Sequence, residues 1–529
     1  MLSFGWRRFL LLALAGAVAG LSVPPLFVLP ALFVAVPVWI WALDGAERQR
    51  GLRRLFGAPF AIGFAFGLGY FTVAIHWVGA AFLVEGGVLL ALMPFAVLGL
   101  AAILALFWAF GSALAHLFWS DSPARIFIFA GMLGLAEFAR GHLFSGFPFD
   151  LLGYALTAND EMSQLASVVG VYGLTLLAAL LAATPALIWP ADARPLTRRL
   201  VPFFLAIAAI AGQVAFGYVR LNSTEVAART DMRVRMVQPV IVEHIDWAAA
   251  DPATVLDRLI SLSTTQLGPS DPGLIAATHL VWPESVFPFY LSQYPDALAR
   301  IARMLPPGVT LVTGAPREGW NVATGETAGP GFNSILAIDT DGEIVASYDK
   351  SHLVPFGEYL PFAGFWRLLG IEQFVPGANG WAPGDGRRLV RAPGTPPFLA
   401  LICYEAVFPG ALGVDPDAPE LIVNLSNDNW FDGSIGPAQH AHHARLRTVE
   451  SGLPMLRGTN SGLTLVVDPL GRVTARLAAG EPGVLDVVPA HRLPSTIFSR
   501  LVHLPFFGAS ALFILVGLAG LLRARRRAA

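Results

Sequence analysis

Three residues stand where this chain could perform nucleophilic chemistry. Glu284 closes the run Val281-Trp282-Pro283-Glu284, Lys350 follows Ser347-Tyr348-Asp349, and Cys403, the chain's one cysteine, ends the apolar run Leu399-Ala400-Leu401-Ile402. A side chain at a strand end is held rigidly yet can reach a cleft. Singly, each has an ordinary reading. A cysteine after an apolar run is commonly a small buried hydrophobe, and a lone glutamate or lysine is commonly solvated. Together they supply what acyl transfer to sulfur requires: a thiolate to attack, a carboxylate to take its proton and an ammonium to meet the oxyanion. A cysteine–histidine arrangement is the rival, with His440, His442 and His443 after Gly436-Pro437 as sources of a base. Their i, i+2, i+3 spacing suits joint ligation poorly, so no metal site is expected.

The elements that must position these residues lie between about 225 and 495. Short β-like runs alternate there with polar helical stretches, at Arg233–Val237, Leu280–Trp282, Val309–Val312, Ser334–Ile338, Phe398–Ile402 and Leu421–Asn424. Asp341-Gly342 marks a hairpin turn between two such runs. Helices are expected at about 251–268, 294–305 and 437–451. The reading is an α/β domain large enough for its own core.

The rest of the chain is a different material. Of 529 residues, 55% are apolar and 14% charged, against roughly 25% charged in soluble domains. Mean hydropathy is +0.60. These values exclude a wholly soluble globule, a disordered chain and a collagen-like repeat. A net charge of −2 offers no broad basic surface, so nucleic acid is not an expected partner. A single cysteine excludes an intramolecular disulfide. Measured against the ~20 apolar residues of a spanning helix, eight spans are expected: about 8–22, 24–43, 57–80, 87–118, 124–140, 162–189, 200–219 and 505–522. The fourth is long enough to be tilted, or split by Pro94.

Positive charge orients them. Arg7 and Arg8, Arg48 to Arg54, Arg125, Arg194 to Arg199, and Arg523 to Arg527 all fall on one side if there are eight crossings. Both termini are therefore expected in the cytoplasm and the α/β domain on the outer face. The start also reads as a cleavable signal peptide, Trp6-Arg7-Arg8 then Ala17-Val18-Ala19, though the next apolar run follows so closely that a retained helix is preferred. Domain limits are 1–222 for the seven-span bundle, 225–495 for the outer domain and 503–529 for the last span with its basic tail. Glu137 and Arg140, three apart, are expected to pair at the outer interface, the alternative being a lipid-headgroup contact. His76 and Trp77 read as interface anchors.

The order Glu284, Lys350, Cys403 resembles the catalytic triad of the nitrilase (carbon–nitrogen hydrolase) superfamily. Tyr348-Asp349-Lys350-Ser351-His352-Leu353-Val354-Pro355-Phe356-Gly357-Glu358-Tyr359 is similar to that superfamily's lysine segment and second glutamate, Cys403-Tyr404-Glu405 to its nucleophile segment, and Asn427-Asp428-Asn429-Trp430-Phe431 to the strand–loop that follows. Set between seven leading spans and one trailing span, the domain resembles the bacterial apolipoprotein N-acyltransferase family. The resemblance implies an α-β-β-α sandwich in the inner membrane, facing the periplasm, and a two-step reaction. An acyl chain passes from a phospholipid, typically phosphatidylethanolamine, to Cys403, and then to the α-amine of a diacylglyceryl-cysteine apolipoprotein. Ester to thioester to amide runs downhill overall, so no cofactor is expected.

The resemblance also implies roles. Glu284 takes and returns protons, Lys350 and the backbone N–H after Cys403 hold the oxyanion, and Glu358 orients Lys350. Glu405, Tyr404 and Trp247 match supporting positions. The apolar segment Leu360–Leu369, with Phe362, Phe365 and Trp366, reads as a lid at the membrane surface, or else as ordinary packing under the domain. A membrane-tethered nitrilase-type amidohydrolase, using water as acceptor, shares the triad and stays open at this point.

Overall fold

The computed structural model describes residues 5–47, 51–85, 87–189, 194–241, 252–321, 326–327, 330–368, 380–410 and 419–528. Trp247 lies outside the described residues. The chain divides into two compact units, Met1–Thr224 with Thr496–Ala529, and Glu225–Ser495.

The first unit is helical. Five helices are long and apolar enough to cross a membrane: Leu90–Leu117, Arg125–Ser145, Ala166–Leu187, Leu196–Ser223 and Leu504–Arg526. A sixth crossing is available if Ala58–Ala74 and His76–Leu83, bent by 58°, act as one span. The first two of the eight expected spans fall on Trp6–Ala19 and Pro30–Asp44, of 14 and 15 residues, shorter than the ~20 that a bilayer asks for. Pro94 does not split the helix Met93–Leu117. It sits in the first turn of Met93–Leu117, where the N–H it lacks has no intrahelical partner anyway.

Helices Trp6–Ala19 and Ala58–Ala74 meet backbone to backbone. A Cβ on Gly16 would lie 1.9 Å from the Phe66 carbonyl oxygen, and one on Gly69 would lie 1.8 Å from that of Ala13. Small residues at a crossing permit this approach in apolar surroundings, where dispersion rather than water exclusion drives association. Glu137 and Arg140 do pair, and they do so buried inside this unit. They are 0% and 1% exposed. Arg140 Nε and Nη2 donate to Glu137 Oε1 and Oε2 at 2.7 and 2.9 Å, and Trp108 Nε1 donates to Oε1 at 2.6 Å. Arg140 Nη1 also donates to the carbonyls of Phe147 and, at 3.0 Å, Phe149, which fastens the 143–151 loop to the helices. His76 is exposed, as an anchor should be, whereas Trp77 is buried with its ring 5.3 Å from that of Phe149.

The second unit holds two six-stranded sheets. One runs in the order Gly483–Val487, Val234–Gln238, His279–Trp282, Thr310–Arg317, Phe332–Ile338, Ile344–Asp349. The other runs Val473–Arg476, Leu465–Val467, Met455–Thr459, Leu421–Ser426, Phe398–Ile402, Leu389–Val390. Successive side chains on a strand point to opposite faces, and both faces are used. Val281, Val312 and Ile335 of the first sheet share a core with Ala400, Ile402 and Val423 of the second. The alternate residues Leu280, Trp282 and Leu311 face outward onto Leu256, Leu259 and Ile301 of the helices Pro252–Thr264 and Pro295–Met304. Leu399, Leu401 and Ile422 pack on Ala441 and Ala444 of the helix Gly436–Ser451. The layers are therefore α-β-β-α. The Asp341-Gly342 turn joins two antiparallel strands, with Gly342 at φ +80°.

Candidate active site

The three chemistry-bearing residues leave three different strands. Glu284 lies two residues past His279–Trp282, Lys350 directly follows Ile344–Asp349, and Cys403 directly follows Phe398–Ile402 and opens the 3₁₀ turn Cys403–Val407. Gly314 lets the glutamate turn settle onto the neighbouring strand. A Cβ there would stand 2.4 Å from Glu284 Cα and 2.6 Å from the Pro283 carbonyl oxygen. Cys403 has φ +45° and Ser285, next to Glu284, has φ +47°. L-residues rarely adopt this left-handed region, and such strain gathers at functional sites where the surroundings over-determine it.

Lys350 Nζ lies between two carboxylates, donating to Glu358 Oε1 at 2.9 Å and Glu284 Oε1 at 3.3 Å. Asn333 Nδ2 donates to the same two oxygens, at 3.0 and 2.7 Å. The remaining oxygens are held by backbone: Glu284 Oε2 accepts from the Asn427 N–H and Glu358 Oε2 from the Val354 N–H, both at 2.8 Å. Lys350 is 1% exposed and Glu284 4%. Every polar atom that could wander is thus pinned, which is the preorganisation an electrostatic catalyst needs.

The charges follow from burial and from each other. Burial pushes the Glu284 carboxyl up, offset only in part by the Lys350 ammonium. Burial alone would favour a neutral lysine, but Glu284 and Glu358 outweigh it and hold Lys350 charged, above its usual range. Burial, and then the Glu284 charge, push the Cys403 thiol up against the opposing pull of Lys350. The resting site therefore holds a neutral thiol beside a carboxylate with raised proton affinity. In such a pair the carboxylate can take the thiol proton as the sulfur bonds to a substrate carbonyl.

Glu405 ties the lysine loop to the nucleophile turn. Its Oε1 accepts from Tyr348 Oη (2.8 Å), Ser351 N and Oγ (2.9 Å each) and His352 N (3.1 Å), while Oε2 accepts from the Ile402 N–H at 2.8 Å. The Tyr404 ring is buried, 5.0 Å from that of Phe408 and 5.7 Å from that of His352. Phe362 is 73% exposed. Phe365 and Trp366 lie on the short helix Ala363–Leu368, and their side chains are outside the described residues.

Of the three histidines, His440 comes within 4.8 Å of the Cys403 sulfur, and a carboxylate oxygen of Asp428 lies within the same distance of both. Its ring is committed elsewhere: Nδ1 meets Asp428 Oδ1 at 2.9 Å and Nε2 donates to the Cys403 carbonyl oxygen at 3.0 Å. That geometry is not a thiol–imidazole base pair, and it leaves neither ring nitrogen turned to a cation. Sequence reasoning missed Asn333 and Gly314, and read His440 only as a source of base or metal ligand. Nothing in the local pattern marks the first two. The Asn427–Phe431 resemblance did point to the loop whose backbone holds Glu284.

Comparison with known proteins finds relatives of both units. The family described as Apolipoprotein N-acyltransferase N-terminal domain matches residues 15–184, and Carbon-nitrogen hydrolase matches residues 233–488. Three curated relatives, each called apolipoprotein N-acyltransferase, are 40% identical to this chain. The one from Rhodopseudomonas palustris aligns over 99% of this chain and 97% of its own length. That from Bradyrhizobium diazoefficiens aligns over 100% and 97%, and that from Brucella melitensis over 93% and 91%.

Proposed function

The chain belongs to the apolipoprotein N-acyltransferase family, and from that premise we propose how its residues divide the work. The protein is a membrane acyltransferase. It moves an acyl chain from a phospholipid, through a thioester on Cys403, to the α-amine of the N-terminal diacylglyceryl-cysteine of an apolipoprotein, the last step of lipoprotein maturation. The observation that carries the site assignment is the meeting of Glu284 and Lys350, from separate strand ends, around a half-buried cysteine whose proton affinity both of them move.

In the first half-reaction Glu284 takes the thiol proton as the sulfur bonds to the ester carbonyl carbon. The oxyanion forms against Lys350 Nζ and the Tyr404 backbone N–H. The ester C–O bond breaks, Glu284 returns the proton to the leaving alkoxide, and a lysophospholipid departs. In the second half-reaction the α-amine attacks the thioester. The C–S bond breaks, Glu284 accepts a proton from the nitrogen, and the thiol is restored. Glu358 and Asn333 hold Lys350 and Glu284 at fixed separation, and Glu405 holds the two loops. Tyr404 and Trp247 take the supporting, substrate-binding positions that the family resemblance assigns them.

The finer assignments follow the same chemistry. Phosphatidylethanolamine is the donor. Eight crossings place the bundle at 1–222 and the anchor at 503–529, with both termini in the cytoplasm and the domain at 225–495 in the periplasm, where both substrates present their headgroups. Phe362, Phe365 and Trp366 form a lid that rests in the membrane surface. A site at the bilayer spares the ~0.8 kcal/mol per CH₂ that lipid extraction would cost. The amidohydrolase alternative has no such need of a bundle, and the full-length relatives are named as acyltransferases.

The test is acyl trapping. Full-length protein incubated with acyl-labelled phospholipid should carry a hydroxylamine-labile label on Cys403, which passes to an added lipopeptide amine. A label absent from the wild type, or persisting in Cys403→Ala, refutes the assignment.

A further inference from the structure

We propose that His440 is a positioning residue for the oxyanion step, acting through the peptide unit that joins Cys403 to Tyr404. The inference deepens the reading above and rests on Cys403 being the acylated residue.

Cys403 is held in a left-handed conformation, φ +45°, and two side chains brace it from either side. Glu405 Oε2 accepts the N–H of the preceding Ile402 at 2.8 Å, and His440 Nε2 donates to the carbonyl of Cys403 itself at 3.0 Å. A carbonyl oxygen only accepts, so Nε2 carries a proton. The ring is fixed from behind. Its Nδ1 lies 2.9 Å from Asp428 Oδ1, and Asp428 accepts from Ser426 Oγ at 2.9 Å and from Arg457 Nη2 at 2.8 Å. Arg457 in turn binds the Asn424 side chain. His440, Asp428 and Arg457 are 6%, 2% and 0% exposed. Arg457 and His440 hold the Asp428 carboxyl ionised, well below the usual range despite its burial. This is a built, buried polar network directly behind the nucleophile, and none of the steps above uses it.

Its consequence follows from peptide geometry. In a planar trans peptide the C=O and the following N–H point in opposite directions. Fixing the Cys403 carbonyl towards His440 fixes the Tyr404 N–H away from it, as the second oxyanion donor. A carbonyl that accepts a hydrogen bond also polarises its own peptide unit and strengthens that N–H as a donor. His440 thus aims a catalytic dipole without touching substrate.

Two reactions of the same sulfur separate this role from general support. Acylation by phospholipid passes through a tetrahedral oxyanion. Alkylation by iodoacetamide displaces iodide directly and forms none. In full-length protein, His440→Leu should slow acyl loading of Cys403 about 100-fold, with KM and the alkylation rate within about twofold of wild type. His440→Gln, whose amide can still donate to the carbonyl, should recover at least about tenfold of that loss. The proposal is overturned if His440→Leu loads within about threefold of wild type, if alkylation falls alongside acylation, or if the Gln variant is as slow as the Leu variant. A wild type that never carries label on Cys403 fails at the earlier step and removes the acyl-enzyme reading itself.

Discussion

Gly314→Ala tests whether the Glu284 turn must sit where it does. The added methyl would meet Glu284 Cα at 2.4 Å, the Pro283 carbonyl oxygen at 2.6 Å and the Ser285 N at 2.9 Å. All three are backbone atoms, so no side chain can swing away. Ordinary contact begins near 3.4 Å, so the turn must retreat by about 1 Å. A displacement of that size in a catalytic group costs about 10²-fold in rate, or about 2.7 kcal/mol of transition-state stabilisation. Overpacking adds about 1–3 kcal/mol of destabilisation. Gly458→Ala is the matched control, because the atoms nearest its Cβ are side-chain carbons, of Leu425 and Val281 at 3.4 Å and of Met236 at 3.7 Å. The assay is acyl transfer from labelled phospholipid to a lipopeptide, with thermal unfolding measured alongside. Transfer by Gly314→Ala within about threefold of wild type, at an unchanged unfolding midpoint, would falsify the claim that this close approach sets the base.

Four further outcomes are expected. Because burial raises the Glu284 carboxyl and its ionised form is the base, kcat/KM should fall as pH drops through a limb above the ordinary glutamate range; a limb at or below that range removes Glu284 from the role. Glu405→Gln places an amide among the donors Tyr348 Oη, Ser351 N, His352 N and Ile402 N, which should cost about 1–3 kcal/mol, and an unmoved denaturation midpoint would show the staple to be dispensable. Removing either Glu137 or Arg140 alone should cost about 3–5 kcal/mol in detergent-solubilised protein, the double replacement costing less than the two together; additive losses would mean that the pair is not a unit. Phe362→Glu should slow acyl loading roughly tenfold while sparing the fold, since it carries charge to a lipid surface, and unchanged loading would discard the lid.

What could be read in the chain was local. Strand ends, the hairpin at Asp341-Gly342 and the helices at Pro252–Thr264, Pro295–Met304 and Gly436–Ser451 follow from periodicity and turn chemistry that a few neighbouring residues contain. The triad was legible because each member stands at a strand end and the order Glu284, Lys350, Cys403 resembles that of the nitrilase superfamily. Asn333 was not: it reaches Glu284 across 49 residues and sits in no recognisable pattern. His440 reaches Cys403 across 37 residues, so its type was visible but its partner was not. In the helical unit, run length overstated helix length, because Ala19 and Ala74 end helices within stretches that stay apolar. The Glu137–Arg140 pairing follows from i, i+3 spacing, but its burial depends on Trp108 from another helix. A tryptophan near the end of an apolar run looks the same in sequence whether it anchors at a membrane interface, as expected of Trp77, or packs on a neighbour such as Phe149.

The raised proton affinity of the Cys403 thiol has a consequence for durability. Peroxide and exchanging disulfides attack the thiolate, and a sulfur that keeps its proton presents almost none of it. With no second cysteine in the chain to resolve a sulfenic acid, an oxidised sulfur would have no internal route back. The same grip on the proton that makes the enzyme wait for an ester also keeps its one irreplaceable atom reduced between turnovers.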